Sequence, residues 1–150
     1  MGGTYEVHHH TQFLNELISA GKIAIDNTKL AGKKVTYHDP CYLGRANGEY
    51  NAPRELIKSL GVDLVEMSKN KSFALCCGAG GGQMFKEAEK GDKEVYMART
   101  KDALETNAEI VVTACPYCMV MLTDGLKYTN KIDEIKNLDL AELLAEAMEI

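Results

Sequence analysis

Tryptophan is absent from the 150 residues, and only three phenylalanines and three prolines occur. The interior must therefore be built mainly from aliphatic side chains, with methionine and tyrosine filling the gaps. No stretch approaches the roughly 18 consecutive apolar residues that a membrane-spanning helix needs, and no charged-then-apolar signal segment opens the sequence. Basic residues are outnumbered, with 17 Lys and Arg against 22 Asp and Glu. A nucleic acid is a poor candidate for the main partner, because phosphate binding requires a basic patch.

The overall composition is that of a folded globular protein, with 45% apolar and 26% charged residues. No internal repeat, low-complexity tract or linker rich in proline or serine divides the sequence. We therefore expect residues 1–150 to form a single domain.

Five cysteines fall into three groups, which are Cys41, the pair Cys76 and Cys77, and the pair Cys115 and Cys118. An odd number of cysteines cannot all pair within one chain, and a domain of this length needs no disulfide framework. We therefore expect reduced thiols and a cytoplasmic location. Thiols grouped in this way indicate metal ligands first and redox chemistry second.

Hydrophobic periodicity and capping residues predict helices that alternate with strands. Thr11 is expected to cap the first helix, and a long helix is expected from about Met84 to Thr106, with a break at Gly91-Asp92. The other predicted elements are helices from Pro53 to Gly61, from Pro116 to about Tyr128 and after Asp139, and strands at 33–37, 62–67, 73–75 and 110–113. Short connections between them predict an α/β fold, a Rossmann-like parallel sheet with helices on both faces.

Each cysteine group directly follows a predicted strand. In open α/β sheets, ligands bind beyond the carboxyl ends of the strands. We therefore expect three loops at that edge to bring all five sulfurs together.

The sequence around the cysteines supports a metal site. Pro116 places Cys115 at the start of a helix, where free backbone N–H groups and the helix dipole stabilise a thiolate. Cys118 lies one turn further along the same side. The glycine-rich run 78–82 lets the backbone approach a bulky group closely and donate N–H bonds to sulfur.

Other interpretations explain these residues less well. A dithiol redox protein using only Cys115 and Cys118 would leave three cysteines unexplained. The glycine run does not match a phosphate-binding loop, because Gln83 stands where the third glycine belongs. The run His8-His9-His10 is expected to cap or pack the first helix. His38 is expected to support the metal site from outside the ligand set.

Taken together, these motifs resemble a known family. The series His38-Asp39-Pro40-Cys41, Cys76-Cys77 with the glycine run, and Cys115-Pro116-Tyr117-Cys118 has the spacing C-x34-CC-x37-C-x2-C. It resembles the cysteine-rich CCG domain found in the B-type and D-type subunits of heterodisulfide reductase and in related iron–sulfur proteins, and it is most similar to the D type. The resemblance extends from about Tyr5 to Met148.

The resemblance implies a specific cofactor. In this family the motif supplies five thiolates to a noncubane 4Fe–4S cluster, at which a disulfide is split or electrons are transferred. By position, the ligands here would be Cys41, Cys76, Cys77, Cys115 and Cys118. Gly78, Gly80, Gly81 and His38 would surround them. Zinc is the alternative metal, in a structural module of a redox complex that has no catalysis of its own.

The sequence also departs from the family pattern. The reductases carry two CCG motifs, and the D-type subunits add ferredoxin-type cysteine runs. This chain has one CCG motif and no ferredoxin run. We therefore expect it to be a domain of a larger redox protein or complex, active only with partners that carry flavin or ferredoxin-type clusters. Such partners could hold it at the inner face of the membrane.

Overall fold

The structure is a computed structural model that describes residues 2–88 and 90–148. The strands are β1 Lys34–Tyr37, β2 Asp63–Leu64, β3 Ile110–Thr113 and β4 Lys136–Asp139. The helices are α1 His10–Ser19, α2 Asn51–Ser59, α3 Val95–Leu104, α4 Pro116–Tyr128 and α5 Leu140–Ala147. A π-helical turn spans Tyr42–Ala46, and 3₁₀ segments span Lys71–Phe73 and Gly80–Phe85.

The strands form one all-parallel sheet in the order β2-β1-β3-β4, which confirms the predicted α/β fold. β3 lies inside the sheet, and its run of branched residues is buried throughout, as expected for a strand covered on both faces. Alternate side chains enter different cores. Ile110 and Val112 pack into the larger core, whereas Val111 packs into a smaller core on the opposite face.

Two helical layers enclose the sheet. The larger core receives Leu56 and Ile57 from α2 and Leu143 from α5, and α1 packs against α2. On the other face, α3 and α4 pack against each other and contribute Ala103 and Leu122 to the smaller core. None of the helices in the described ranges has both the length and the apolarity needed to cross a membrane.

The first helix begins differently from the prediction. The cap of α1 is His9 and not Thr11, which lies buried in the first turn. The His9 side chain accepts a hydrogen bond from the Thr11 N–H, and Gln12 completes a capping box by accepting from the His9 N–H. A histidine nitrogen thus takes the place of the usual hydroxyl or carboxylate oxygen. The predicted capping role of the histidine run is confirmed for His9.

Three other elements differ from the prediction. Residues 73–75 form no strand, because the exposed Phe73 ends a 3₁₀ segment and packs into no core. The long helix predicted from Met84 is shortened to α3, because Met84 and Phe85 belong to the preceding 3₁₀ segment and residues 86–88 and 90–94 form coil and bends. β4 was not predicted, since its sequence Lys-Asn-Leu-Asp carries a single large apolar side chain.

Candidate functional site

Two of the three cysteine groups follow strands of the sheet. Cys41 lies four residues after β1 and directly precedes the π-helical turn, and Cys115 lies two residues after β3 and caps the N-terminus of α4. Cys76 and Cys77 follow a 3₁₀ segment and not the strand expected there. Cys77 and Cys118 are buried, and the other three cysteines are partly exposed.

The sulfurs of the three groups interact with one another. Cys118 interacts with both Cys115 and Cys77, so the pair at the start of α4 contacts the pair formed by Cys76 and Cys77. Cys41 lies close enough to Cys76 and Cys77 for their negative charges to raise its pKa. The ligand atoms of His38, Cys77 and Cys118 all lie within 4.8 Å of one another. The structure therefore groups His38, Cys77 and Cys118 most closely, with Cys115 packed against Cys118 and with Cys41 and Cys76 near Cys77.

This arrangement gives the thiols different pKa values. Hydrogen bonding from Cys118 lowers the pKa of Cys115 to about 6, with further N–H bonds from the first turn of α4. The same partner, followed by His38, lowers the pKa of Cys77. The single thiol proton of Cys118 is shared between Cys115 and Cys77, so its own pKa rises, and burial adds to that rise. Burial, reinforced by nearby thiolates, raises the pKa of Cys41. Two of the five sulfurs are thus predisposed to be thiolates, the form that binds metal.

Backbone N–H groups also point at the sulfurs. Gly78 N–H donates to Cys76 Sγ at 3.3 Å, with the Gly78 φ angle at 95°. The Ala79 N–H lies against Cys77, and the Tyr42 N–H lies against Cys41. Donors of this kind stabilise negative charge on sulfur.

The predicted glycines occupy two different surroundings. A Cβ at Gly78 would make only an ordinary contact of 3.4 Å with the Tyr96 backbone nitrogen, so its φ angle of 95°, and not the available space, favours glycine there. Gly80 and Gly81 face open space, with no atom within 4 Å of an added Cβ. Their contact with a cofactor stays a prediction.

Buried charges hold the cysteine loops in place. Arg54 of α2 bonds both carboxylate oxygens of Asp39, at 2.7 and 2.9 Å, and both oxygens of Glu66, at 2.6 and 2.9 Å. Asp39 also accepts the Lys71 N–H at 2.8 Å. The Asp39 carboxylate therefore connects the segment before Cys41, helix α2 and the segment before Cys76.

His38 is connected to a second buried cation. It is 1% exposed, and its Nδ1 accepts from Arg99 Nε at 2.8 Å. Arg99 is 0% exposed and pairs with Asp102 at 2.7 Å, while Ser68 donates to the other oxygen of Asp102. Burial lowers the pKa of His38 despite its bond to Cys77.

A cleft of about 690 Å³ opens beside three of the cysteines, which are Cys41, Cys115 and Cys118. Its walls include His8, His9 and His10 at the start of α1. A small molecule in this cleft would lie next to the sulfurs.

Residues 35–123, which include all five cysteines, match the sequence profile of the CCG family, described as a cysteine-rich domain. The chain belongs to this family. The resemblance drawn from the motifs is thereby confirmed.

Relatives of this CCG domain are redox proteins by name. It is 48% identical over 147 residues to the D-type subunit of the dihydromethanophenazine:CoB–CoM heterodisulfide reductase of Methanosarcina barkeri, covering 96% of this chain and 34% of that protein. It is 43% identical over 155 residues to the EtfAB:quinone oxidoreductase of Syntrophomonas wolfei, covering 99% and 21%. It is 44% identical over 144 residues to the "Probable iron-sulfur-binding oxidoreductase FadF" of Bacillus subtilis, covering 95% and 20%. The chain thus spans a fifth to a third of these curated relatives.

The residues of this CCG domain fit the cofactor that the family implies. Cys77, Cys115 and Cys118 lie together, two of these sulfurs have lowered pKa values, and a bound cation would replace the proton that Cys118 shares with its neighbours. Thiolate sulfur is the ligand of iron–sulfur clusters and of structural zinc.

Sequence reasoning missed the charged residues beneath the CCG site. Arg99 falls within the long helix predicted from Met84 to Thr106, and Arg54 within the helix predicted from Pro53 to Gly61; the sequence prediction gave neither a role. Helical spacing offered a signal, because Arg99 and Asp102 are three residues apart and can pair. Burial of that pair could not be inferred from spacing.

Proposed function

We propose that this chain is an iron–sulfur redox domain of the heterodisulfide reductase type, in which Cys41, Cys76, Cys77, Cys115 and Cys118 hold one noncubane 4Fe–4S cluster. The observation that carries the proposal is the proximity of the three cysteine groups: the ligand atoms of His38, Cys77 and Cys118 lie within 4.8 Å of one another, and Cys115 and Cys41 interact with these sulfurs. Iron–sulfur relatives support the class of cofactor.

The number of sulfurs favours a cluster over zinc. A structural zinc ion takes four ligands in tetrahedral geometry, so one of the five cysteines would be left over. Gly78 and Ala79 also direct N–H groups at Cys76 and Cys77, and such bonds to sulfur tune the reduction potential of a cluster.

The proposed reaction is disulfide reduction or electron transfer to a related acceptor. A disulfide takes up two electrons and two protons and yields two thiols, with the S–S bond broken. A bound cluster would supply the electrons one at a time. The chain's own residues would hold the cluster, admit the substrate through the cleft beside Cys41 and Cys115, and exclude water with the buried His38 and Arg99.

The electrons would come from partners. Because the relatives are three to five times longer than the matched region, we propose that this domain works within a larger redox protein or complex. Flavin and ferredoxin-type clusters are the donors proposed for it. A cytoplasmic location, against the inner membrane face through such partners, remains part of this proposal.

Metal and sulfide analysis tests the proposal. Protein purified without oxygen is expected to contain iron and acid-labile sulfide, with visible absorbance and an electron paramagnetic resonance signal after reduction. Cys77→Ser should lose most of the iron, whereas the matched control Ser72→Ala, an exposed change in the same loop, should retain it. Thermal melting of each variant separates loss of the cofactor from loss of the fold.

Two results would contradict the proposal. Stoichiometric zinc without sulfide, retained when one cysteine is replaced, would instead identify a structural module. Redox activity that survives Cys41→Ser would point to a dithiol at Cys115 and Cys118.

A further inference from the structure

Arg99 is the most deeply buried charge beneath the cysteine cluster. Its side chain is completely enclosed, yet it is no core-packing residue, because three polar partners surround it: His38, Asp102 and the Lys69 carbonyl. Its remaining nitrogen, Nη2, has no hydrogen-bond partner among the described residues. Burying an ionised side chain costs free energy unless it is paired and hydrogen-bonded, as Arg99 is here.

The bond to His38 determines which imidazole nitrogen carries the proton. Arg99 Nε can only donate, so His38 Nδ1, at 2.8 Å, must accept and can carry no proton. In a neutral imidazole the proton then lies on Nε2. Because Nδ1 is occupied by Arg99, Nε2 is the nitrogen left to interact with Cys77, whose sulfur lies within 4.8 Å of the ligand atom of His38.

This protonation state bears on metal binding. The ligand atoms of His38, Cys77 and Cys118 lie within 4.8 Å of one another, a spacing that could hold a metal ion through imidazole nitrogen. Ligation by Nε2 would require the proton on Nδ1, where it would face the Arg99 N–H as a second donor. Two donors cannot bond each other, so the Arg99 bond opposes ligation by His38.

We propose that Arg99 is a positioning residue that holds His38 in the Nε2–H form, so that the imidazole donates to Cys77 sulfur and is kept out of the metal-ligand set. This inference deepens the proposed function, since it explains why the centre would use sulfur ligands alone. Asp102 balances the Arg99 charge, and Ser68 holds Asp102 in turn.

The first test needs no substitution. Protein labelled with ¹⁵N-histidine, free of metal and reduced, has four histidines whose tautomers can be assigned by nuclear magnetic resonance. His38 is expected as the Nε2–H tautomer and should stay so when Zn²⁺ is added. A Nδ1–H tautomer, or a zinc-bound Nε2, would overturn the proposal.

Two variants test the role of Arg99 itself. Asp102→Asn is the matched control, because it removes the buried partner charge and leaves the Arg99 donor in place. The double variant Arg99→Met/Asp102→Asn removes the donor without leaving a buried carboxylate unpaired. The control should keep the Nε2–H tautomer, whereas the double variant should shift the tautomer equilibrium on the order of tenfold towards Nδ1–H.

The zinc-loaded double variant should then show His38 nitrogen bound to the metal. In cluster-loaded protein, pulsed electron paramagnetic resonance should detect a directly bound nitrogen in the double variant only. A double variant that matches the Asp102→Asn control in both measurements would overturn the proposal. If the double variant does not fold, the tautomer of His38 in the wild-type protein still tests the proposal.

The test of the His38 tautomer does not depend on which cofactor the protein binds. The tautomer measurement uses metal-free and zinc-loaded protein, whereas the proposed function depends on iron and sulfide. A protein that binds only zinc but keeps His38 as Nε2–H would refute the iron–sulfur function and leave this inference standing.

Discussion

Replacing Arg54 is expected to destabilise the domain strongly. Its five N–H donors meet five acceptors: two oxygens of Asp39, two of Glu66 and the Tyr50 carbonyl. The guanidinium also lies 5.3 Å from the centre of the Tyr37 ring. Arg54→Met keeps most of the side-chain length but leaves the Asp39 carboxylate, which is only 3% exposed, without its cation.

The size of the effect follows from burial. Removing one partner of a buried ion pair costs about 3–5 kcal/mol, because the other charge is left uncompensated. Urea unfolding measures this cost directly. With a urea dependence of about 1–3 kcal/mol per molar, the midpoint should fall by more than about 1 M.

Glu66→Gln provides the matched control. Its side chain contacts the same Arg54 but is 33% exposed, so the loss should stay near or below about 1 kcal/mol. A cost of less than about 1 kcal/mol for Arg54→Met would contradict the expected effect of burial. A cost for Glu66→Gln as large as that for Arg54→Met would contradict it as well.

Three further predictions concern stability. Burial opposes the charge on Asp39, but hydrogen bonds from Arg54 and the Lys71 N–H outweigh it and lower the Asp39 pKa, so the stability that it contributes is present above pH of about 4 and is lost as the pH falls through the lowered value. Between about pH 5 and pH 2 the wild type should therefore lose more stability than Asp39→Asn, and equal losses would contradict this. Gly125→Ala should lower the free energy of unfolding by about 1–3 kcal/mol through overpacking, since the added Cβ would lie 2.8 Å from Thr100 Cβ. A double-mutant cycle with Thr100→Ala should show coupling between the two changes, and additive effects would contradict the overpacking. Asp139→Ala should lower stability by about 1 kcal/mol in thermal melts, because it removes the capping box of α5, and an unchanged melting temperature would argue against that role.

The fold class could be predicted because several elements carry strong local signals. The branched run of β3 and the proline at the start of α4 were placed correctly, as was the capping box of α5. β4 could not be predicted, since its position depends on partners distant in the sequence. Asn137, for example, donates to the Met119 carbonyl and to Thr123 of α4.

The cysteine cluster was predictable from topology, although one premise was wrong. The segment before Cys76 was predicted as a strand, but it is a 3₁₀ turn, and the Lys71 N–H bond to Asp39 positions it. The loop reaches the site through that carboxylate and not through the sheet. Spacing along the sequence contains no information about such a contact.

The short segment His38-Asp39-Pro40-Cys41 therefore does more than contribute one sulfur. His38 connects it to α3 through Arg99 and to Cys77, while Asp39 connects it to α2 through Arg54. These three connections are between side chains of this chain, so they need no metal to form. Loops that are already close together lose less conformational entropy when five sulfurs are gathered on one centre. This explains why two buried arginines, which hold no metal themselves, lie directly beneath a site built from sulfur.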